Sequence, residues 1–459
     1  MAISRKTTRR ILFVLFGVLV LALVTWLAIR PREATLTVED VSGTDPVLTT
    51  PREETIPMMN VAEAIGWEDG EMPTPAEGLE VNEFAGDLDH PRWMLTLDNG
   101  DVLVAETNSP PRDYSGIRGW FERRLMTRGG SAGDSPNRIT LLRDVDSDGT
   151  ADQRRALLTE ENGLNSPFGM AVVDGFLYVA NTDALIRFPF EPGQIEIEGT
   201  GETVVDLPAN APNSHWTKSL VVDPDDPNLF YVGVGSNSNI GENGMEIEEN
   251  RAAVLQVNVE ERETLIYTAG MRNPVGLDFE PNSGRLYAVV NERDMMGGDL
   301  VPDYLSVVDF GAHYGWPGVY WGRYLDERVE PMTPRMAQYS RVPEYALGPH
   351  TASLGLEFSE SARLGEPFTG GAFIGQHGSW NRRPMSGYKV VFVAFENGRP
   401  AGAMIDVLTG FLNDDNQARG RPVGVMTDAT GALLVADDVG NRIWRVSNPR
   451  LARRPSTAR

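Results

Sequence analysis

The fold of this 459-residue chain is decided by the stretch Pro422-Val-Gly-Val-Met-Thr-Asp-Ala-Thr-Gly-Ala-Leu-Leu-Val-Ala-Asp437-Asp438. An apolar strand precedes an Asp/Gly turn, and a second apolar strand follows the turn and ends in a polar pair. Two apolar runs separated by such a turn predict an antiparallel β-hairpin.

The same pattern recurs along most of the chain. The five other copies open at Pro91, Pro167, Leu220, Pro274 and Leu354. Six sheet-forming units in sequence predict an all-β, six-bladed β-propeller, which hides its strand edges by radial repetition. Residues 78–85 are predicted to supply the outer strand that closes the last blade. A pair of packed sheets is the structural alternative, but it does not explain the Pro-x-Gly opening that several copies share.

The N-terminal segment predicts a membrane anchor. Residues 11–29 are apolar and four basic residues precede them. At about 1.5 Å per residue, such a helix nearly spans a hydrocarbon core of about 30 Å. The basic residues favour a cytoplasmic N-terminus. We therefore expect a transmembrane helix in the bacterial inner membrane, with the catalytic domain in the periplasm.

Composition divides the rest of the chain and excludes some partners. Residues 1–30 form the predicted cytoplasmic stub and anchor, 31–75 a linker, 76–450 the propeller and 451–459 a disordered tail. The net charge of -24 argues against a nucleic-acid partner. The absence of cysteine excludes disulfides and thiolate metal sites.

Polar side chains flank the predicted hairpins. The first strand of an antiparallel hairpin begins at the edge where its second strand ends, so the flanking residues of all six copies are predicted to face one mouth of the propeller. These residues are His90, Ser166, His215, Asn273, Arg421, Thr107, Asn181, Asn237, Glu292, His377 and Asp437. Propeller rims are polar in general, but this mixture of imidazoles, cations and carboxylates predicts a functional site.

Short motifs at these positions carry a family resemblance. They are His215-Trp-Thr-Lys-Ser-Leu, Val234-Gly-Ser-Asn-Ser-Asn, Gly270-Met-Arg-Asn-Pro-Val-Gly-Leu, Asn291-Glu-Arg-Asp, Tyr314-Gly-Trp-Pro, His377-Gly-Ser-Trp-Asn-Arg and Arg419-Gly-Arg-Pro-Val-Gly-Val. Over roughly residues 80–447 the chain resembles the sugar dehydrogenases that use pyrroloquinoline quinone (PQQ), nearest to the sorbosone and fungal pyranose dehydrogenase type. The resemblance implies a six-bladed propeller that binds PQQ and calcium in its mouth and oxidises a sugar hydroxyl or aldehyde.

The resemblance also assigns residues to this chemistry. It makes His215 the general base, a role that suits a neutral imidazole. It implies that the carboxylates and ring of the quinone contact six residues: Arg272, Asn273, Trp380, Arg382, Arg419 and Arg421. The structural alternatives are a hydrogen-bonded rim histidine and arginines that pair with surface acids.

Two calcium sites are predicted. The resemblance implies that the backbone carbonyls of Asp294 and Met295 bind the calcium beside the quinone, with Asp299 supporting their loop. Separately, Asp144, Asp146, Asp148 and Asp152 have the D-x-D-x-D-G-x-x-D spacing of a calcium loop. An ordinary Asp-rich turn is the alternative for that segment.

Three functions are consistent with the sequence. The first is a PQQ-dependent dehydrogenase for an aldose or a sorbosone-like sugar, passing electrons to a cytochrome or a membrane quinone. The second is a lactonase-type calcium hydrolase, which the arginine-rich mouth disfavours. The third is a non-catalytic carbohydrate-binding propeller. Ser236 and Val275 are consistent with it, because some relatives have a carboxylate in place of Ser236 and a glutamine in place of Val275.

Overall fold

Six antiparallel sheets form the ring of the molecule. The computed structural model describes residues 5–29, 32–52 and 58–451, and the sheets within them are numbered here as blades in chain order of their inner strands. From the inner to the outer strand, blade 1 is Pro91–Thr96, Val102–Glu106, Arg138–Arg143 and Gln153–Leu158; blade 2 is Met170–Val173, Phe176–Ala180, Ala184–Pro189 and Glu202–Asp206; blade 3 is Lys218–Val222, Leu229–Val234, Ala253–Asn258 and Glu263–Ala269. Blade 4 is Pro274–Phe279, Leu286–Val290, Pro302–Val307, Tyr345–Pro349 and Ser42–Gly43; blade 5 is Ser353–Phe358, Gly371–Gln376, Lys389–Glu396, Arg399–Thr409 and Thr74–Pro75; blade 6 is Pro422–Thr427, Leu433–Asp437, Arg442–Ser447 and Glu80–Ala85.

The predicted propeller is confirmed, including the way it closes. Each of the six predicted hairpins supplies the two inner strands of one blade. Strand Glu80–Ala85 pairs antiparallel with Arg442–Ser447, with Val81 opposite Val446. The outer strand of blade 6 therefore comes from the sequence before blade 1, which joins the two ends of the ring.

Packing between neighbouring blades explains the apolar runs. A blade is covered on both faces by its neighbours, so its middle strands are apolar throughout rather than alternating. The second strand of blade 1, Val102–Glu106, is buried along its whole length. Between blades 6 and 1 the core contains Phe84, Met94, Leu142 and Ile443, each at most 4% exposed.

The segment predicted to be a linker lies against the propeller. Strand Ser42–Gly43 extends blade 4, and Thr74–Pro75 extends blade 5. Val41 and Ala62 are fully buried. The sequence of this segment has no regular apolar pattern, and polar contacts hold it in place. The backbone N–H and the hydroxyl of Thr35, for example, both donate to the carboxylate of Asp299. This part of the predicted linker therefore pairs with blades 4 and 5.

Helices are few in the described part of the chain. They are Arg5–Ile29, Gly116–Arg128 and Met336–Tyr339, with 3-10 turns at Glu160–Asn162 and Met245–Glu248 and a small hairpin of Val319–Tyr320 and Tyr324–Leu325. No helix within the described residues meets the length and apolarity needed to cross a membrane, so the predicted transmembrane anchor is not supported. The predicted tail, from residue 452 onward, lies outside the described residues.

Candidate active site in the propeller mouth

Polar contacts join neighbouring blades around one opening, which we call the mouth. It is the end of the ring at which the inner strands begin. The contacts, taken around the ring from blade 1, are Arg92–Asp438, His377–Asp438, Asn381–Asp294, Ser236–Arg272, Thr182–Trp216 and Ser166–Asn137. The ring of contacts is closed. His215, Arg272, Asp294 and Arg421 all lie in segments at this end of the ring.

His215 is held with one ring nitrogen free. Its Nδ1 lies 2.6 Å from the carbonyl oxygen of Ser236. A carbonyl oxygen only accepts, so Nδ1 carries the hydrogen and Nε2 is left as the acceptor. Burial, and next the positive charge of Arg272, hold the pKa of His215 well below 6.5. The imidazole is thus neutral near pH 7 and ready to accept a proton at Nε2.

The position of His215 depends on the close approach of His215 and Asn273 to the backbone of Gly235. A Cβ at Gly235 would lie 2.5 Å from the Cβ of His215 and 2.2 Å from Oδ1 of Asn273. Only glycine allows this packing. The side-chain Oδ1 of Asn273 is itself buried without a hydrogen-bond partner among the described residues. The predicted quinone contact Asn273 thus has an unused acceptor next to the base.

Arg272 and Asp294 form the charged part of the mouth beside His215. Their nearest oxygen and nitrogen lie 3.6 Å apart. Arg272 also donates to the carbonyl of Glu292 at 2.7 Å and to Oδ1 of Asn239 at 3.0 Å. These contacts fix the guanidinium, which is 4% exposed. Its charge both lowers the pKa of His215 and makes this side of the mouth attractive to anions.

The sequence analysis missed His350 as a member of this cluster. Its Nδ1 lies 3.3 Å from Oδ1 of Asp294, and its Nε2 lies 3.0 Å from the carbonyl of Gly297. Both ring nitrogens face acceptors, as in an imidazolium. Burial opposes the charge, but Asp294 raises the pKa of His350 overall. His350 stands three residues before the inner strand Ser353–Phe358, as His215 does before Lys218–Val222, so this shared offset could have found it.

A second cluster, of two arginines and two histidines around a carboxylate, lies across blades 5, 6 and 1. Asp438 is its centre, bound by Arg92 at 2.7 Å and by Nε2 of His377 at 2.9 Å. Although burial opposes it, His377, His90 and Arg92 hold the pKa of Asp438 well below its ordinary range. Burial, despite Asp438, lowers the pKa of His377 to about 4. A neutral His377 and a charged Arg92 therefore bind one carboxylate.

Several polar side-chain atoms in this second cluster have no hydrogen-bond partner in the described part of the chain. Among the described residues, Nε and Nη2 of Arg421, Nε of Arg92 and both ring nitrogens of His90 are buried without a hydrogen bond. The guanidinium of Arg421 lies 5.0 Å from the ring of Tyr388, and that of Arg92 lies 5.8 Å from Trp216. Buried cationic donors are costly unless they are paired. The cluster is thus built to receive an anionic group.

Two arginines predicted to contact a cofactor make other contacts. All three nitrogens of Arg382 donate to backbone carbonyls, including those of Gly298 and Leu36. Arg419 pairs with Glu71 at 3.1 Å. Both arginines therefore fasten the N-terminal segment to the propeller. Trp380 is half-buried, and its carbonyl accepts from the N–H of Asn60.

The predicted calcium ligands of the mouth are already bound by a side chain. The carbonyls of Asp294 and Met295 each accept a hydrogen bond of 3.0 Å from the same atom, Nη1 of Arg328. The carboxylate of Asp294 is used by His350, Asn381 and Arg272. A calcium ion on the two carbonyls would lie against a guanidinium of the same sign. The residues present therefore do not fit a calcium ion at this loop.

The second predicted calcium site is far from the mouth, on the outer hairpin of blade 1. Carboxylate oxygens of Asp144, Asp146 and Asp152 lie within 4.8 Å of one another. The fourth predicted ligand, Asp148, instead accepts the N–H of Thr150 at 2.8 Å. Three of the four predicted carboxylates therefore come together.

Comparison with known proteins agrees with this architecture. The TrAA12-like family model matches residues 134–302 and 333–449. A curated protein of Borreliella burgdorferi described as uncharacterized is 29% identical over 307 residues, which are 64% of this chain and 79% of that protein. The PQQ-dependent pyranose dehydrogenase of Coprinopsis cinerea is 27% identical over 301 residues, covering 51% of this chain but only 40% of that enzyme.

A solved structure shares the fold. The holo form of the PQQ domain of the Coprinopsis cinerea pyranose dehydrogenase superposes with a TM-score of 0.66 at 20% identity, covering 84% of this chain and all of that domain. The family match covers more than half of the sequence and falls on the propeller blades. This chain therefore belongs to the TrAA12-like family.

Proposed function

We propose that this chain is a quinoprotein dehydrogenase that oxidises a pyranose or related aldose with PQQ bound in the mouth. The observation that carries the proposal is that the mouth contains both a neutral, oriented imidazole and buried arginine donors without a hydrogen-bond partner in the described part of the chain. The family relationship supports it, since a relative is described as a PQQ-dependent pyranose dehydrogenase.

The residues of the mouth fit a planar, anionic cofactor. PQQ carries three carboxylates, and guanidinium groups bind carboxylates through charge-assisted hydrogen bonds. Arg421, Arg92 and His90 offer the unpartnered donors, and Arg272 adds a fixed positive charge beside the base. When bound, PQQ would supply the two-electron acceptor that the side chains lack.

His215 would supply the proton chemistry. Oxidation of a sugar hydroxyl requires its O–H proton to leave, and Nε2 of His215 is an unprotonated acceptor at neutral pH. The carbonyl of Ser236 keeps the ring in this tautomer. A backbone carbonyl thus orients the base, which explains how the site works without a carboxylate partner at position 236.

The lactonase alternative has less support. A calcium hydrolase needs several carboxylates around one ion. Among the described residues, the group that could hold a metal is the turn of Asp144, Asp146 and Asp152 on the outside of blade 1. In the mouth, by contrast, Asp294 and Asp438 are each bound by cationic or amide side chains.

We also propose calcium at the outer turn, a periplasmic location and an electron acceptor outside this chain. Three clustered carboxylates with a following glycine favour calcium at the turn. A cytochrome or a membrane quinone would fit as the acceptor, because a quinoprotein passes its electrons on.

The experiment is reconstitution of the purified protein with PQQ, followed by dye reduction with a panel of aldoses. We expect quinone-dependent reduction with at least one pyranose. Matched reactions without quinone and with His215→Asn serve as controls. Quinone binding without any sugar-dependent reduction would instead favour the non-catalytic carbohydrate-binding propeller.

A further inference from the structure

The family resemblance assigns a calcium ion to the loop of Asp294 and Met295. In this chain an arginine outside the segments matched by the family model binds that loop. Residues 303–332 lie between the two matched segments, and Arg328 lies within them. Its Nη1 bridges the carbonyls of Asp294 and Met295 at 3.0 Å each. These are the two oxygen atoms that a calcium ion would need.

Arg328 is held firmly in this position. Its Nε and Nη2 bind the two carboxylate oxygens of Asp326 at 2.8 and 2.7 Å, a bidentate pair. Asp326 is 2% exposed and is also bound by Arg293 at 3.4 Å. If the Arg328 guanidinium moved away, the buried carboxylate of Asp326 would keep only Arg293 as a cationic partner.

The other polar groups of Asp294 also bind protein groups. The N–H of Asp294 donates to Oδ1 of Asn239, and its carbonyl accepts from Nδ2 of the same residue at 3.1 Å. Its side chain is bound by Asn381 and His350. A doubly charged ion at the carbonyls would meet the Arg328 guanidinium at contact distance, where like charges repel strongly.

We infer that Arg328 replaces the calcium ion in this chain, so that the mouth is organised by a fixed guanidinium and binds its quinone without a divalent cation. The inference deepens the proposed function, and its quinone readout rests on that function. Its metal readout does not.

The metal readout is a calorimetric titration with calcium alone. The variant Asp146→Asn/Asp152→Asn removes the outer turn as a competing site. We expect this full-length variant to bind no calcium up to millimolar concentration. Binding of one calcium ion per chain would overturn the inference, whether or not the protein binds a quinone.

The quinone readout compares affinity in chelator and in calcium. We expect the wild-type affinity for PQQ to differ less than twofold between EDTA and excess calcium. Arg328→Ala should weaken quinone binding at least tenfold, because the loop loses its cross-link, and Arg328→Lys tests the position if the alanine variant does not fold. Arg323→Ala, an exposed arginine in the same hairpin region, is the matched control. Loss of quinone binding in EDTA, or full affinity in both Arg328 variants, would contradict the inference.

Discussion

The chemistry of single residues is set by what lies around them rather than by their identity. His215 and His377 are both mouth histidines with lowered pKa values. Nε2 of His377 binds Asp438, whereas Nε2 of His215 has no hydrogen-bond partner among the residues that the structure describes. Hydrogen bonding therefore separates a candidate base from a residue that binds Asp438. His215→Asn should lower kcat about 10²–10⁴-fold, the usual range for removing a general base, with little change in quinone affinity.

The control for that variant is His313→Asn, a half-buried histidine outside the mouth clusters, which accepts the N–H of Gly315. We expect its kcat to stay near that of the wild type. Steady-state dye reduction measures both variants. Equal losses in the two would show that the effect comes from folding rather than from proton transfer.

The pH dependence of the rate follows from the direction of the His215 shift. The base works unprotonated, and its pKa lies well below 6.5. The rate should therefore be at its plateau at pH 6.5 and fall only as the pH drops through the lowered pKa. A profile of kcat/KM measures the acid limb. A midpoint at or above pH 6.5 would contradict the assignment.

Replacing Arg421 is expected to have opposite effects on the stability of the quinone-free protein and on quinone binding. Its Nε and Nη2 are buried and unpartnered, which is unfavourable in the empty mouth. Arg421→Met should therefore leave the Tm of the quinone-free protein unchanged or raise it. The same change should weaken quinone binding at least about tenfold, since a hydrogen bond to a charged group contributes about 1.5–3 kcal/mol.

Differential scanning fluorimetry and calorimetric titration check the two halves of this prediction. Arg419→Met is the matched control, because Arg419 pairs with Glu71 instead of facing the mouth. A large loss of quinone-free stability in Arg421→Met, or equal affinity losses in the two variants, would be inconsistent with the proposed cofactor contact.

At the scale of elements, the strand Glu80–Ala85 holds the ring together. Phe84 is 4% exposed and lies in the core between blades 6 and 1. Phe84→Ala should lower the free energy of unfolding by about 3–5 kcal/mol, as for other buried phenylalanines. The neighbouring Glu83→Ala removes only a partly exposed ion pair with Arg442 and should cost about 0–1 kcal/mol. Urea unfolding distinguishes them, and similar losses would argue against the closing role.

The outer turn of blade 1 is the element with a proposed structural ion. If it binds calcium, a concentration of 100 times the Kd should stabilise the fold by about 2.7 kcal/mol. Asp146→Asn should abolish that gain, whereas Asp148→Asn should keep most of it, because the Asp148 carboxylate binds Thr150. Thermal unfolding with and without calcium measures the gain. If calcium does not stabilise the wild type, the segment is an ordinary Asp-rich turn and not a calcium site.

At the scale of the whole molecule, the sequence was sufficient for the blades and insufficient for many side-chain partners. Hairpin repeats predict blades because apolar strands and turn residues act locally, and the closing strand followed from the need to pair the last edge. The contacts of Arg382 and Arg419 could not be predicted because their partners, Leu36 and Glu71, are more than 300 positions away in the chain. The Arg328 contact was likewise invisible, since a spacing pattern shows which carbonyls could bind a cation but not which cation is supplied.

The central claim is that one PQQ molecule binds in the mouth, between the His215 side and the Arg421 side. The most direct test is the quinone-to-protein ratio after gel filtration of the reconstituted protein, read from absorbance. We predict one quinone per chain for the wild type and almost none for the double variant Arg272→Met/Arg421→Met. Quinone that elutes free of the wild-type protein, or that stays bound equally well by the double variant, would contradict the account.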